Sequence, residues 1–143
     1  MIMKYQVVNG DLMTAPRGNV LVHCISADCA LGAGIAKTID AVYNMREKIY
    51  DYYPDDLIEV GSALLVEDVF NLVTKQNYWG KPTYATLEEC LREMRSMMYE
   101  FHIQKIAMPK IGCGLDKLEW ARVEELIKSI FSEDDVEITV YVL

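Results

Sequence analysis

What the chain lacks narrows its function before any motif is read. None of its 143 residues belongs to an apolar run near the roughly 20 residues that a membrane-spanning helix needs, so no membrane association is expected. The opening Met1-Ile2-Met3-Lys4-Tyr5-Gln6 has no signal-peptide layout, and a soluble, cytoplasmic protein (nuclear also, in a eukaryote) is the expectation. There are only two histidines and four cysteines, with no CxxC pair and no zinc-type spacing. We therefore expect no metal, no cofactor, and reduced thiols packed mainly as small core residues. Positive charge is also short: 14 Lys and Arg against 22 Asp and Glu leave a net charge of −8. That balance excludes a broad basic face for nucleic acid, so an anionic ligand would have to be held by local backbone donors.

What is present is ordinary globular composition, 52% apolar and 25% charged, long enough for one domain over residues 1–143 with its own core. Lys4 to Val8 reads as a strand ended by the turn Asn9-Gly10-Asp11. Val20 to Ile25 is nearly all apolar, the mark of a strand buried on both faces. A helix then follows the Gly32-Ala33-Gly34 loop with Ile35, Ile39 and Val42 or Tyr43 inward, continuing to about Tyr50. Ser62–Val66 and Phe70–Lys75 suggest a hairpin, and Asn77 to Tyr84 a loop. Thr86 with Glu89 has capping-box spacing at the head of a long helix whose inner face is Leu87, Leu91, Met94, Met98 and Phe101. A short strand at 105–108, a last helix with Leu118, Val123, Ile127 and Ile130 inward, and a closing strand from Val136 complete the pattern. Strands alternating with helices, plus one hairpin, imply a three-layer α/β/α sandwich with a mixed central sheet.

Two glycine loops, 32–34 and 112–114, each follow a central strand and precede a helix, so both should lie on the rim where such sheets bind ligands. In Pro109-Lys110-Ile111-Gly112-Cys113-Gly114-Leu115-Asp116, glycines let backbone N–H groups converge on an anion at a helix start. Asp116 stands three residues before Glu119 and reads on spacing as a helix N-cap. His23, inside an apolar strand, reads as a hydrogen-bonded core residue, and His102, ending the long helix, as structural.

Taken together, Gly10-Asp11-Leu12, His23-Cys24-Ile25-Ser26, Gly32-Ala33-Gly34-Ile35-Ala36, Lys81-Pro82-Thr83-Tyr84, Pro109 to Asp116 and Ile138-Thr139-Val140-Tyr141 resemble the macrodomain family, in its branch of terminal ADP-ribose protein glycohydrolases. The blocks occur in family order and span almost the whole chain. The resemblance implies an ADP-ribose site in which Asp11 accepts from the adenine amino group, Leu12 gives a backbone donor to the ring and Tyr141 packs beside it. It places Gly32, Ala33, Gly34 and Ile35 on one side of the diphosphate, and Ile111, Gly112, Cys113, Gly114 and Leu115 on the other side and the distal ribose, with Ser26 facing the ligand. The residues alone leave alternatives open: Asp11 as a turn residue, Ser26 as a strand-end cap, Tyr141 as a strand aromatic. Cys113, at a helix start that can lower a thiol pKa, is given no nucleophilic role by the family.

The chain departs from the asparagine-rich, water-activating macrodomains, since Cys24-Ile25-Ser26-Ala27-Asp28 has no asparagine. The glycohydrolase branch instead uses a lysine with an aspartate, which the resemblance places at Lys81 and Asp116. A neutral amine can attack an anomeric carbon and form a Schiff base, whereas an ammonium cannot; Asp116 would then move the protons. On its own Lys81 reads as an exposed loop lysine. The resemblance implies a hydrolase releasing ADP-ribose from glutamate- or aspartate-linked protein, and from O-acyl-ADP-ribose, acting as a monomer. A reader that only binds ADP-ribose is one alternative. A hydrolase of ADP-ribosylated DNA bases is another, for which Lys75, Lys81, Lys110 and Lys117 could supply a local basic patch.

Overall fold

A computed structural model describes residues 2–143. Five strands run parallel: β1 (Lys4–Asn9), β2 (Val20–Ser26), β4 (Val69–Lys75), β5 (Lys105–Met108) and β6 (Glu137–Val142). The sixth, β3 (Ala63–Val66), pairs antiparallel with β4 through the expected hairpin, whose turn uses Glu67 at φ 52°. The sheet order is β1-β6-β5-β2-β4-β3, so β2 lies centrally, as its unbroken apolar run implies. Helices α1 (Gly34–Tyr43) and α2 (Met45–Tyr52) cover one face; α3 (Tyr84–Glu100) and α4 (Trp120–Phe131) cover the other.

Side chains alternate across the pleat into two cores. Val20, Val22, Phe70, Leu72, Ile106 and Met108 point to α3 and α4, where they meet Leu87, Leu91, Met94, Val123 and Ile127. Leu21, Ile25, Val69, Val73 and Ala107 point to α1 and α2, onto Ile39, Met45 and Ile49. His23 and Asn71 share that second face. They are fully buried, with His23 Nε2 2.5 Å from Asn71 Oδ1, while Asn71 Nδ2 donates to the Leu64 carbonyl at 3.2 Å. His23 is the hydrogen-bonded core residue its setting suggests.

Several local expectations are corrected. The helix expected to continue to Tyr50 breaks at Asn44, which adopts φ 55° and divides α1 from α2; the Asp40 carboxylate accepts the Arg46 N–H at 2.8 Å and holds the second start. Tyr43 is the inward alternative and Val42 is exposed. The cap of α3 is Thr83, not Thr86. The Thr83 hydroxyl accepts the Thr86 N–H at 3.0 Å and the Thr86 hydroxyl accepts the Thr83 N–H at 3.1 Å, so a second threonine takes the part expected of Glu89. Phe101 falls past the last turn of α3 and is exposed, and Leu118 lies before α4 and is only partly buried. No helix among the described residues is long and apolar enough to cross a membrane.

Candidate active site

Because five strands are parallel, their carboxyl ends share one rim, and the segments leaving them line one cavity of about 1170 Å³. That exceeds the roughly 300–1,000 Å³ of a usual small-ligand site and suits an extended ligand. After β1 come Gly10, Asp11 and Leu12; after β2, Ser26 and the 30–36 loop; after β4, Lys75 and residues 78–81; after β5, residues 109–116; and at the end of β6, Tyr141. Every residue given a ligand or catalytic role from the sequence, Lys81 and Asp116 included, lines this cavity, whereas Lys117 of the expected basic patch does not.

Asp11 is exposed and its Oδ1 accepts the Met13 N–H at 2.9 Å, nucleating a single 3-10 turn in which Leu12 is buried. This is the local reason for Asn-Gly-Asp: the turn carries the chain off β1 and leaves the second carboxylate oxygen for other partners. The two glycine loops face each other, and the Leu115 side chain spans the gap, since a β carbon on Gly34 would sit 3.7 Å from Leu115 Cδ1. Gly34 and Gly112 adopt φ 58° and 73°, the left-handed region open to glycine. Among the described residues, the N–H groups of Gly32, Ala33, Gly114 and Leu115 find no acceptor in the chain, leaving donors for an anion.

Asp116 is not a helix cap. Lys117 turns left-handed at φ 63°, α4 starts only at Trp120, and its flanking Glu119 gives no side-chain cap; the Glu119 N–H instead donates to the Tyr84 hydroxyl at 3.0 Å. What Asp116 meets is Lys75. Lys75 Nζ lies 2.5 Å from Asp116 Oδ1, and both side chains are only 15% exposed. Lys81 is exposed on the same cavity and its Nζ donates to the Leu115 carbonyl at 3.3 Å, away from the Asp116 carboxylate. Of the lysines read as a local patch, Lys75 is thus committed to an ion pair, while Lys81, Lys110 and Lys117 are exposed.

A second carboxylate lies unannounced at the end of β2. Asp28 Oδ1 accepts the Ser26 hydroxyl at 2.5 Å and the Ala30 N–H at 3.2 Å, and its Oδ2 accepts the Tyr78 N–H at 2.9 Å. Burial pushes its carboxyl up, but the Ser26 hydroxyl, the two backbone donors and the nearby Lys75 charge outweigh this and hold it below the ordinary carboxylate range. Ser26 is therefore buried and occupied by Asp28, so its hydroxyl sits on the cavity wall with its proton already placed. Sequence reading passed over Asp28 and Lys75 as partners; Lys75 closing an apolar strand, where a charge needs a reason, was the available signal. The Cys113 thiol, expected to be lowered by a helix start, is instead pushed up by burial, against the opposing Lys110 charge, and donates to the Ile111 carbonyl at 3.3 Å. It precedes α4 by several residues, so no helix dipole reaches it.

A carboxylate and an ammonium in contact on a half-sheltered rim, beside converging backbone donors, can bind a diphosphate and pass a proton between the paired groups. Comparison with known proteins identifies the family. Residues 22–127 match the family model described as "Macro domain". The chain is 38% identical over 139 residues to ADP-ribose glycohydrolase OARD1 of Bos taurus, covering 95% of this chain and 90% of that protein. It is 23% identical to the DNA ADP-ribosyl glycohydrolase of Thermus aquaticus, over 94% of this chain and 40% of that protein. In fold it superposes on the macrodomain of Thermus aquaticus DarG with a TM-score of 0.86 at 22% identity, covering 99% of each chain. With the family model spanning most of the chain and the sheet order and rim as described, this protein belongs to the macrodomain family.

Proposed function

We propose that this macrodomain is an ADP-ribosyl glycohydrolase, in which the Lys75–Asp116 pair acts on the distal ribose of a bound ADP-ribose. The observation that carries the reading is the 2.5 Å contact between the two, sheltered at the end of β4 on the rim of the cleft. The 38% identity to a protein named as an ADP-ribose glycohydrolase supports the activity. In this reading Asp11, Leu12 and Tyr141 hold the adenine. The loop of Gly32, Ala33, Gly34 and Ile35 takes one side of the diphosphate, and that of Ile111, Gly112, Cys113, Gly114 and Leu115 takes the other through the free N–H groups of Gly114 and Leu115, the Cys113 N–H being given to the Lys110 carbonyl, with Ser26 forming the wall beside the ribose.

The pair suggests a sequence of steps. The Lys75 ammonium hands a proton to Asp116, and the neutral amine attacks the anomeric carbon. A carbon–nitrogen bond forms as the carbon–oxygen bond to the leaving carboxylate breaks, and the proton from Asp116 goes to that carboxylate. The ring carbon–oxygen bond then opens, its oxygen taking a proton from the nitrogen by way of Asp116, and leaves a protonated imine. Water adds to the imine carbon and gives a proton to Asp116, which passes it to the nitrogen; the carbon–nitrogen bond breaks, ADP-ribose leaves and the amine is regenerated. The substrates are glutamate- or aspartate-linked ADP-ribosyl protein and O-acyl-ADP-ribose, handled by one monomeric, cytoplasmic domain of residues 1–143. Lys81, the amine assigned from sequence, is the second reading for the nucleophile, favoured by its place on the same cavity.

Single variants separate the two lysines. Lys75→Ala should lower turnover of an ADP-ribosylated protein on the order of 10²–10⁴-fold while ADP-ribose still binds by calorimetry, and only wild type and Lys81→Ala should give a lysyl adduct by mass spectrometry. Full turnover by Lys75→Ala would remove the mechanism; loss in Lys81→Ala alone would move it to Lys81. A DNA base as leaving group is a further reading, prompted by the Thermus aquaticus relative. The net charge of −8 weighs against it, and parallel assays on modified DNA decide it.

A further inference from the structure

The loop after β4 carries aromatic surface for which the proposed chemistry has no use. Tyr78 and Trp79 are 63% and 68% exposed, pack edge-to-face with centroids 4.9 Å apart, and line the same cavity as Lys75. They are held from the neighbouring strand. The Ala27 N–H donates to the Lys75 carbonyl at 2.9 Å, the Asp28 carboxylate takes the Tyr78 N–H at 2.9 Å, and Asp28 is itself fixed by Ser26 and Ala30. The Gly80 N–H closes the loop on the Asn77 carbonyl at 2.9 Å. Two large rings are thus displayed on a pinned backbone.

Sheet order says which part of a ligand would meet them. From Asp11 and Tyr141, after β1 and at the end of β6, the rim passes β5 and β2 before reaching β4. The Tyr78–Trp79 loop follows Lys75, so it stands at the far end from Asp11. With the distal ribose at Lys75 and Asp116, the group joined to that ribose is what remains to face the rings.

We propose that the Tyr78–Trp79 pair is a ledge that receives the polypeptide segment carrying the ADP-ribose, and that Asp28 is the residue positioning it. This rests on the hydrolase reading above. A polypeptide is favoured over a polynucleotide for two physical reasons. Tyrosine and tryptophan supply large, stiff contact area suited to peptide backbone and aliphatic side chains. A polynucleotide draws its affinity from many phosphate contacts, and a chain of net charge −8 supplies only scattered lysines near this rim.

The test compares kcat/KM on a mono-ADP-ribosylated protein with kcat/KM on O-acetyl-ADP-ribose, whose leaving group is too small to span the ledge. In Trp79→Ala and in Asp28→Ala the protein-to-small-ester ratio should fall about tenfold or more, mainly through KM for the protein. Asp28→Asn keeps a carbonyl oxygen for the Tyr78 N–H and should recover part of that ratio. Equal losses on both substrates would overturn the ledge and leave the hydrolase standing. So would a loss in Trp79→Ala confined to ADP-ribosylated DNA. No turnover of either substrate by wild type would remove the hydrolase reading, and the ledge with it.

Discussion

Acid should weaken this protein through His23 before its carboxylates titrate. The imidazole is fully buried, and because Asn71 Nδ2 donates to the Leu64 carbonyl, Asn71 Oδ1 is the acceptor and His23 Nε2 the donor. Among the described residues Nδ1 has no partner, so the ring is held neutral. Burial, only partly offset by the hydrogen bond to Asn71, lowers its pKa from 6.5 to about 4. The unfolded chain binds this proton near pH 6.5 and the folded one only near 4, so the unfolded state holds more protons between those values. Stability is therefore complete above about pH 6.5 and falls as pH drops to about 4. At about 1.4 kcal/mol per tenfold change in acidity, the loss comes to about 3 kcal/mol. The assay is urea unfolding of wild type and His23→Gln at pH 7, 5.5 and 4; glutamine keeps a donor near Asn71 and cannot titrate. Carboxylate effects cancel in the difference, which should shift by about 3 kcal/mol in the variant's favour toward pH 4. Parallel curves for the two proteins would refute the reasoning.

Two further outcomes follow from backbone geometry. Gly112→Ala places a side chain at φ 73° with its β carbon 3.0 Å from Leu118 Cδ1, so it should cost about 1–2 kcal/mol in denaturant unfolding and weaken ADP-ribose binding by calorimetry. Thr83→Ala removes the cap of α3 and should cost about 1 kcal/mol, whereas Glu89→Ala, the partner expected from spacing, should not reproduce that loss by the same measurement.

Much of this protein was legible one segment at a time. The unbroken apolar run of Val20 to Ile25 could only be a strand covered on both faces, and Gly112 and Gly114 between a strand and a helix could only mark a turn with donors exposed. Such readings depend on local periodicity and on backbone freedom, which neighbours in the chain determine by themselves. Cap positions were less secure, because Thr83 and Thr86 both offer hydroxyls and the choice is made where Thr86 also reaches back to the Thr74 carbonyl at 2.9 Å.

Which amine meets Asp116 was beyond any such reading. Lys75 and Lys81 are both loop-side lysines flanking the same turn, and only the parallel pairing of β2 with β4 brings the end of β4 against the loop leaving β5, setting Lys75 on Asp116 and Lys81 on the Leu115 carbonyl. Asp28 acquired its place in the same way, from a donor fifty residues along the chain. The sequence by itself determined the elements and the rim, because these follow from side-chain pattern over a few residues. The tertiary structure decided the charged partners, because contacts between distant segments depend on how the strands are ordered in the sheet.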